Sequence, residues 1–311
     1  MKERILQFLY KNNGQVVSGT TLSEHLGISR VAVWKHIKSL KQSGFPIISS
    51  SSGYILKHSG DLLLPFCFAD RSNRIYHFME TASTMDAAKE LARNGAPHLS
   101  LVAAERQTGG RGRLNREWHS QTGGIWCTLI LRPTIPFAYT YQLNFAASVA
   151  LVEAVRDETG IEAAVKWPND ILAGPKKIAG LLSEMETHGD MLSFLNIGIG
   201  LNVNNDPPVT VKDAASIRSL TGRRTSRRKI VNRFLDRFEG LYSRIPGIDI
   251  IDMWKTHTST IGADVAIETH NQRFEGRAVD VDPTGALIIE TRDGTMRKVI
   301  YGDCFYKENN K

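Results

Sequence analysis

The chain has 311 residues, 41% hydrophobic and 23% charged, with a formal net charge of +7. That balance fits a globular chain with a packed core and excludes a fibrous or wholly disordered one. No apolar run approaches the roughly 18 residues needed to cross a bilayer, and the opening Met1-Lys2-Glu3-Arg4 is not followed by a signal-peptide core. Cys67, Cys127 and Cys304 are widely spaced and form no CxxC pair, so they read as reduced thiols of a cytoplasmic protein without a cysteine metal site.

Charge is unevenly placed. Residues 1 to 60 hold eight lysines and arginines against Glu3 and Glu24, a net +6, which leaves +1 for the other 251 residues. A small basic module on a nearly neutral body points to a polyanionic partner for that module. Within it, Ile5, Leu6, Leu9 and Tyr10 recur at helical spacing. Ser18-Gly19 leads into a short helix through Leu22 and Leu26, Gly27 supplies a turn, and Ser29 caps a second helix with Val33, Ile37 and Leu40 on one face. Two β-prone runs around Ser52-Gly53 suit a wing hairpin. A short helix, a glycine turn and a basic second helix form the helix-turn-helix pattern, whose second helix enters the major groove. Ser29, Arg30 and Trp34 fall at its groove-facing end, and Lys35, Lys38 and Lys41 suit phosphates. Winged helices also serve as protein-interaction modules, and that alternative stays open here.

From about residue 65 to 245 strands and helices alternate, within a domain expected to span 65 to 257. Helices are expected at Met85 to Arg93, Gln142 to Thr159 and Lys229 to Ser243. Strands are expected at Leu101 to Ala104, Ile125 to Leu131, Ala164 to Lys166, Lys177 to Glu184 and Phe194 to Leu201. The class is α+β, on a mixed or antiparallel sheet. From residue 258 to 311 short alternating runs broken by Asp282-Pro-Thr-Gly285 and Asp293-Gly294 suggest a small β-barrel, and residues 1 to 62 form the winged helix-turn-helix.

Three segments of the body look chemical. Gln107-Thr-Gly-Gly-Arg-Gly-Arg-Leu-Asn-Arg-Glu-Trp118 combines glycines, which let backbone amides approach an anion, with Arg111, Arg113 and Arg116. It is not a P-loop, and such a loop also serves as a surface tether. Lys166-Trp-Pro-Asn-Asp170 breaks a strand, followed by Lys177-Ile-Ala-Gly180; a structural turn on a buried Trp is the plainer reading. Asn196-Ile-Gly-Ile-Gly-Leu-Asn-Val-Asn204 is an apolar strand whose glycines mark either close approach of a ligand or a bulge.

Taken in order, Gly27-Ile-Ser-Arg-Val-Ala-Val-Trp-Lys-His-Ile37, Gly110-Arg-Gly-Arg113 with Trp118, Lys166-Trp-Pro-Asn-Asp170 and Lys177-Ile-Ala-Gly180 make the chain resemble the bacterial biotin–protein ligases that double as biotin-operon repressors, the BirA type. The resemblance implies a winged helix, a ligase domain and an SH3-like barrel. It implies that biotin and Mg-ATP give biotinyl-5′-AMP, and that a lysine of the biotin carboxyl carrier protein then takes the biotinyl group. It places biotin at Ser83, Thr84, Met85, Gln107, Arg111, Gly112, Arg113 and Lys177, with Lys177 and Arg113 catalytic. Arg116, Trp118, Asn169, Asp170 and Asn202 fall on the nucleotide side, with Asp170 near Mg²⁺ but no set of metal ligands identified. It places operator DNA at Gly19, Thr20, Thr21, Ser29, Arg30, Val31, Trp34, Lys35 and Lys38, bound by a homodimer that biotinyl-5′-AMP favours through ordering of the loops near 110 to 118 and 205 to 215. Two positions depart from the family's pattern: Met85 stands where Asn is usual, and Asn115 where glycine is common. A lipoate ligase, a biotin sensor with a dead ligase site, and a ligase whose winged helix binds only protein are the rival readings.

Overall fold

The computed structural model describes residues 1–307 except 13, 58–60, 136–138 and 190. Helices α1 (Lys2–Lys11), α2 (Gly19–Leu26) and α3 (Arg30–Gln42) are followed by a two-stranded wing, β1 (Ile47–Ser50) paired antiparallel with β2 (Gly53–Leu56). Ser18 and Ser29 cap α2 and α3 through their hydroxyls, which accept from the backbone N–H of Thr21 and Ala32. Gly27 closes α2 at φ +67°, a left-handed conformation that costs glycine little. Ile5, Leu9, Leu22, Val33, Ile37 and Leu56 make this module's own apolar core.

Beyond it the chain adds β3 (Ile75–Phe78), α4 (Thr84–Arg93), β4 (Ser100–Ala104), β5 (Ile125–Leu131), α5 (Gln142–Thr159), β6 (Ala163–Lys166), β7 (Asp170–Ala173), β8 (Lys176–His188) and β9 (Met191–Leu201). The strands form one seven-stranded sheet in the order β3-β4-β5-β9-β8-β7-β6, antiparallel except for the parallel pair β3·β4. Alternation within strands explains what covers each face. Leu101, Ala103, Cys127, Leu129, Ile197 and Ile199 point into the main core with α5, α7 (Arg227–Tyr242) and α8 (Ile250–His257). Val102, Ile130 and Phe194 face the other way and meet Ala88 and Ala92 of α4. A short α6 (Ile217–Thr221) precedes α7.

The last strands, β10 (Asp264–Glu268), β11 (Arg273–Val281), β12 (Leu287–Thr291), β13 (Met296–Val299) and β14 (Asp303–Tyr306), form an antiparallel sheet in the order β13-β12-β11-β10-β14. The expected barrel is therefore not closed: no pairing among the described residues joins β13 to β14. The three residues between them nevertheless bring the two edges within about 14 Å, less than the roughly 19 Å of a flat five-stranded sheet, so the sheet is rolled with an open seam. Val265, Ile267, Leu287 and Ile289 belong to the same core as the central sheet. Trp167, fully buried, ties the two together: its backbone N–H donates to Thr260 Oγ1 at 2.9 Å and its indole N–H to the Gly285 carbonyl at 3.1 Å. Cys127 and Cys304 are buried and Cys67 half-buried, all three free. Among the described residues no helix is long and apolar enough to cross a membrane.

Candidate functional site

The α4 face of the sheet is not filled throughout. Where Phe194 gives way along β9 to Gly198 and Gly200, a cavity of about 250 Å³ opens. No register shift interrupts β9 at these glycines, which excludes the bulge reading. Their lack of side chains makes room for the protein's own: a Cβ on Gly198 would stand 2.8 Å from Met85 Sδ, and one on Gly200 2.4 Å from Trp118 Nε1.

One end of the cavity is neutral and hydrogen-bonded. Ser83 caps α4, its hydroxyl accepting from the Met85 N–H at 3.2 Å. Gln107 Oε1 accepts from the Thr84 N–H at 2.8 Å and from its hydroxyl at 3.0 Å, while Gln107 Nε2 donates to Ser120 Oγ at 2.8 Å. Thr128, on β5, extends this network by donating to the Thr84 hydroxyl at 2.9 Å. Met85 takes an apolar place in the wall, buried against Gly198. Cys127 borders the cavity, but its side chain points into the main core, where burial pushes its thiol up to about 12.

The other end is cationic, and each cation is held by a carboxylate. Arg111 forms a two-pronged pair with Asp86 at 2.8 and 2.9 Å and reaches Glu184 at 3.3 Å. The Asp86 carboxylate raises the Arg111 guanidinium above its ordinary value. Arg113 donates to Asn169 Oδ1 at 3.2 Å and to the Gly302 carbonyl at 3.0 Å, and both it and Arg116 pair with Asp303. Lys177 Nζ lies 2.7 Å from Asp170 Oδ1 and 5.1 Å from the Trp118 ring centroid. Asn169 is fixed by donating to the Leu181 carbonyl at 2.7 Å, and Asn202 Oδ1 accepts from Asn205 Nδ2 at 2.8 Å. At the tip of the arginine loop Leu114 and Asn115 both have positive φ, 55° and 56°. Asn tolerates that region better than most residues, which explains how it serves where glycine is common.

Every ligand residue expected from the motifs lines this one cavity: Ser83, Thr84, Met85, Gln107, Arg111, Gly112, Arg113, Arg116, Trp118, Asn169, Asp170, Lys177 and Asn202. Trp167 and Pro168 took a different part from their neighbours. The pair is a cis turn between β6 and β7, with Lys166 opposite Asp170, rather than an extended break, and Trp167 is structural. Sequence reasoning missed Asp303, remote from every motif, while the wall made by Pro207, Pro208, Val211 and Ala214 falls in the 205 to 215 loop that it expected the adenylate to order. That wall is bonded to the lysine's own backbone: the Lys177 N–H donates to the Asp213 carbonyl at 2.6 Å, and its carbonyl accepts from the Ala215 N–H at 3.0 Å. Among the described residues no group of three or more His, Cys, Asp or Glu is placed to hold a metal ion.

The second surface lies on the winged helix. Gly19, Thr20, Arg30, Val31 and Trp34 border a shallow depression with the wing residues Ser50 to Tyr54, and Thr21 sits one residue further along α2. Val31 and Trp34 are 63% and 52% exposed, so neither belongs to the module's core. Lys38 Nζ stands 5.3 Å from the Trp34 ring, and Lys35 is exposed beside it. Ser29 is occupied as the cap of α3.

A model described as the biotin/lipoate A/B protein ligase family matches residues 78–204, an HTH domain model matches 2–55, and a biotin protein ligase C terminal domain model matches 260–307. The bifunctional ligase/repressor BirA of Bacillus subtilis is 37% identical, covering 97% of this chain and 98% of its own. The biotin--[acetyl-CoA-carboxylase] ligase of Paracoccus denitrificans is 30% identical over 71% of this chain and 95% of its own. The solved biotin protein ligase from Aquifex aeolicus in complex with biotin and ATP aligns with a TM-score of 0.66 at 26% identity, covering 75% of this chain and 98% of that one.

Proposed function

This chain belongs to the BirA-type family of bifunctional ligase/repressors, and from that premise we propose how its two surfaces divide the work. The cavity joins biotin to ATP as biotinyl-5′-AMP and passes the biotinyl group to a lysine of the biotin carboxyl carrier protein. The winged helix binds operator DNA. The working units are residues 1–62, 65–257 and 258–311.

The observation that carries this reading is the convergence of Arg111, Arg113, Arg116 and Lys177 on one cavity beside the neutral Thr84–Gln107 end. Adenylation brings a carboxylate against a polyanionic triphosphate. At ~4 Å two unit charges repel by about 4 kcal/mol at an effective dielectric near 20. Lys177 and Arg113 offset that repulsion as the biotin carboxylate oxygen attacks the α-phosphorus and the bond to pyrophosphate breaks. Asp170 holds Lys177, and Asn169 and the Gly302 carbonyl hold Arg113, so both cations are aimed into the cavity before the ligand exchanges with these partners. In the second step the carrier's lysine amine attacks the acyl carbon and AMP leaves.

Ser83, Thr84 and Gln107 hold the ureido end of biotin, with Met85 as an apolar wall. Arg111 and Gly112 fold over the ligand. Arg116, Trp118, Asn169, Asp170 and Asn202 line the nucleotide side. Mg²⁺ arrives on the triphosphate: a single carboxylate, Asp170, already paired with Lys177, suits an ion kept mostly by phosphate and water oxygens.

On the winged helix, Gly19, Thr20, Thr21, Arg30, Val31, Trp34, Lys35 and Lys38 meet DNA, and Ser29 meets it through its cap position. Biotinyl-5′-AMP orders the loops near 110 to 118 and 205 to 215 and so favours a homodimer that presents two winged helices to a two-fold operator. Sedimentation velocity with and without biotin and ATP tests that step, and an unchanged oligomer would refute it. The ligase reading is tested by incubating the protein with biotin, Mg-ATP and a carrier domain. One added biotinyl mass is expected, and transfer of lipoate in its place would overturn it.

A further inference from the structure

Arg227 and Arg228, neighbours at the start of α7, join the winged helix and the ligase body in two different ways. Arg227 is 3% exposed. It donates through Nε to Asp61 Oδ2 at 2.9 Å, through Nη2 to Glu105 Oε2 at 2.7 Å and through Nη1 to the Gly124 carbonyl at 2.9 Å, and its backbone N–H donates to Asp61 Oδ1 at 2.9 Å. Glu105 Oε1 accepts from the Leu63 N–H and meets His77 Nε2, both at 3.0 Å. Asn204 Nδ2 donates to Asp61 Oδ2 at 3.2 Å while Asn204 holds both backbone polar groups of Thr225. The segment that follows the winged helix is thus fastened at Asp61 and Leu63 to the end of β4, the exit of β9 and the start of α7.

The same platform touches the winged helix itself. The Arg228 guanidinium stands 5.4 Å from the Tyr10 ring of α1, Tyr10 packs edge-on against Phe66 at 5.3 Å, and the His77 ring lies 5.9 Å from Phe45. None of these groups lines the ligand cavity. Glu105, however, is two residues before Gln107, and Asn204 two after Asn202, both of which do.

We propose that Asp61 is a positioning residue for operator binding: gripped by Arg227 and Asn204, it sets where the winged helix sits on the ligase body, in register with the strand ends that carry Gln107 and Asn202. This rests on the DNA-binding reading above. A two-fold operator is read only by modules held at a fixed separation, so a loose tether blurs the match to half-site spacing.

Asp61→Asn tests this without uncovering Arg227, which keeps Glu105 as its counter-charge; the new amide instead brings N–H groups against the donors that faced Oδ2 or Oδ1. In the full chain, deuterium uptake by the peptide spanning Leu62 to Leu64 is expected to accelerate at least tenfold. Carrier biotinylation stays within twofold of wild type. Affinity for a duplex that the wild-type protein has selected from a random-sequence library, with biotin and Mg-ATP present, falls at least tenfold, and inserting one or two base pairs between half-sites becomes better tolerated. Faster exchange with unchanged DNA affinity and spacing preference overturns the proposal, as does ligase turnover that falls in step with DNA affinity, which would mark a general loss of folding. If the wild-type protein selects no duplex, the DNA-binding reading fails, and the exchange measurement then still decides whether Asp61 fastens the tether.

Discussion

Two sets of cations face anions in this molecule, and they are kept in opposite states. On the winged helix, Arg30, Lys35 and Lys38 are exposed, and among the described residues no ion pair involves a cation of that module. In the cavity Arg111, Arg113, Arg116 and Lys177 are each held against Asp86, Asp303 or Asp170. An unpaired cation on a flexible stem is a long-range, salt-sensitive attractor for a phosphate backbone of any sequence. A paired one is fixed in direction and screened from stray anions until a ligand exchanges with its carboxylate. The first arrangement suits a partner that must be found; the second suits a reaction whose charges must be met at set positions.

The largest expected effect strikes the paired set. Lys177→Ala should lower the rate of pyrophosphate release by about 10³-fold, the scale of losing a transition-state donor, while calorimetry shows most biotin affinity retained. An unchanged rate would put the lysine outside the chemistry. Gly200→Ala leaves every charge in place but sets a Cβ against Trp118, so a misfit of about 1–3 kcal/mol is expected to move the ring and weaken ATP binding roughly tenfold or more. Steady-state kinetics at varied ATP checks it, and a normal KM would mean that Trp118 yields without cost.

On the unpaired set, Lys38→Ala should weaken DNA binding only severalfold and evenly across sequences, with the slope of log affinity against log salt reduced by about one. A change confined to one sequence would instead make Lys38 a base reader. A paired cation remote from both surfaces provides the smallest effect. Asp282 is buried enough to raise its pKa, but the Lys298 ammonium at 2.5 Å and the Thr284 and Ala286 hydrogen bonds outweigh this and hold it down to about 2. A lowered carboxylate stabilises the fold above its ordinary value near 3.8 and loses that contribution as pH falls toward 2. Asp282→Asn should therefore cost no more than about 1 kcal/mol at pH 7, after allowance for solvent screening, and the gap in melting temperature should close between pH 4 and 2.

Much of this was legible in the chain itself. The helices of the winged module follow from Ser18, Gly27 and Ser29, local capping and turn chemistry that needs no distant partner. β5 and β9 were readable because strands buried on both faces leave long apolar runs. β3 and β7 were not: Ile75-Tyr-His-Phe78 and Asp170-Ile-Leu-Ala173 are short, and they become strands through pairing with β4 and β8. The helix at Ile250–His257 escaped for a related reason, since its apolar side is defined by Phe145 packing on Trp254. In the cavity, clustered glycines and arginines announced themselves. Asp303 could not, because a lone acidic residue in a late strand gains its meaning only when the fold brings it to Arg113 and Arg116.

The backbone bonds of Lys177 to Asp213 and Ala215 have a kinetic consequence. A mixed anhydride survives only while water is kept from it, and Pro207, Pro208, Val211 and Ala214 line the cavity wall beside Lys177, where such an anhydride would form. Since that wall is zipped to the lysine's main chain, a movement that admits water also pulls on the strand that aims the ammonium. The lifetime of the activated acyl group and the strength of the step that makes it then share one clock, and retuning the wall resets how long the molecule remembers that biotin was present.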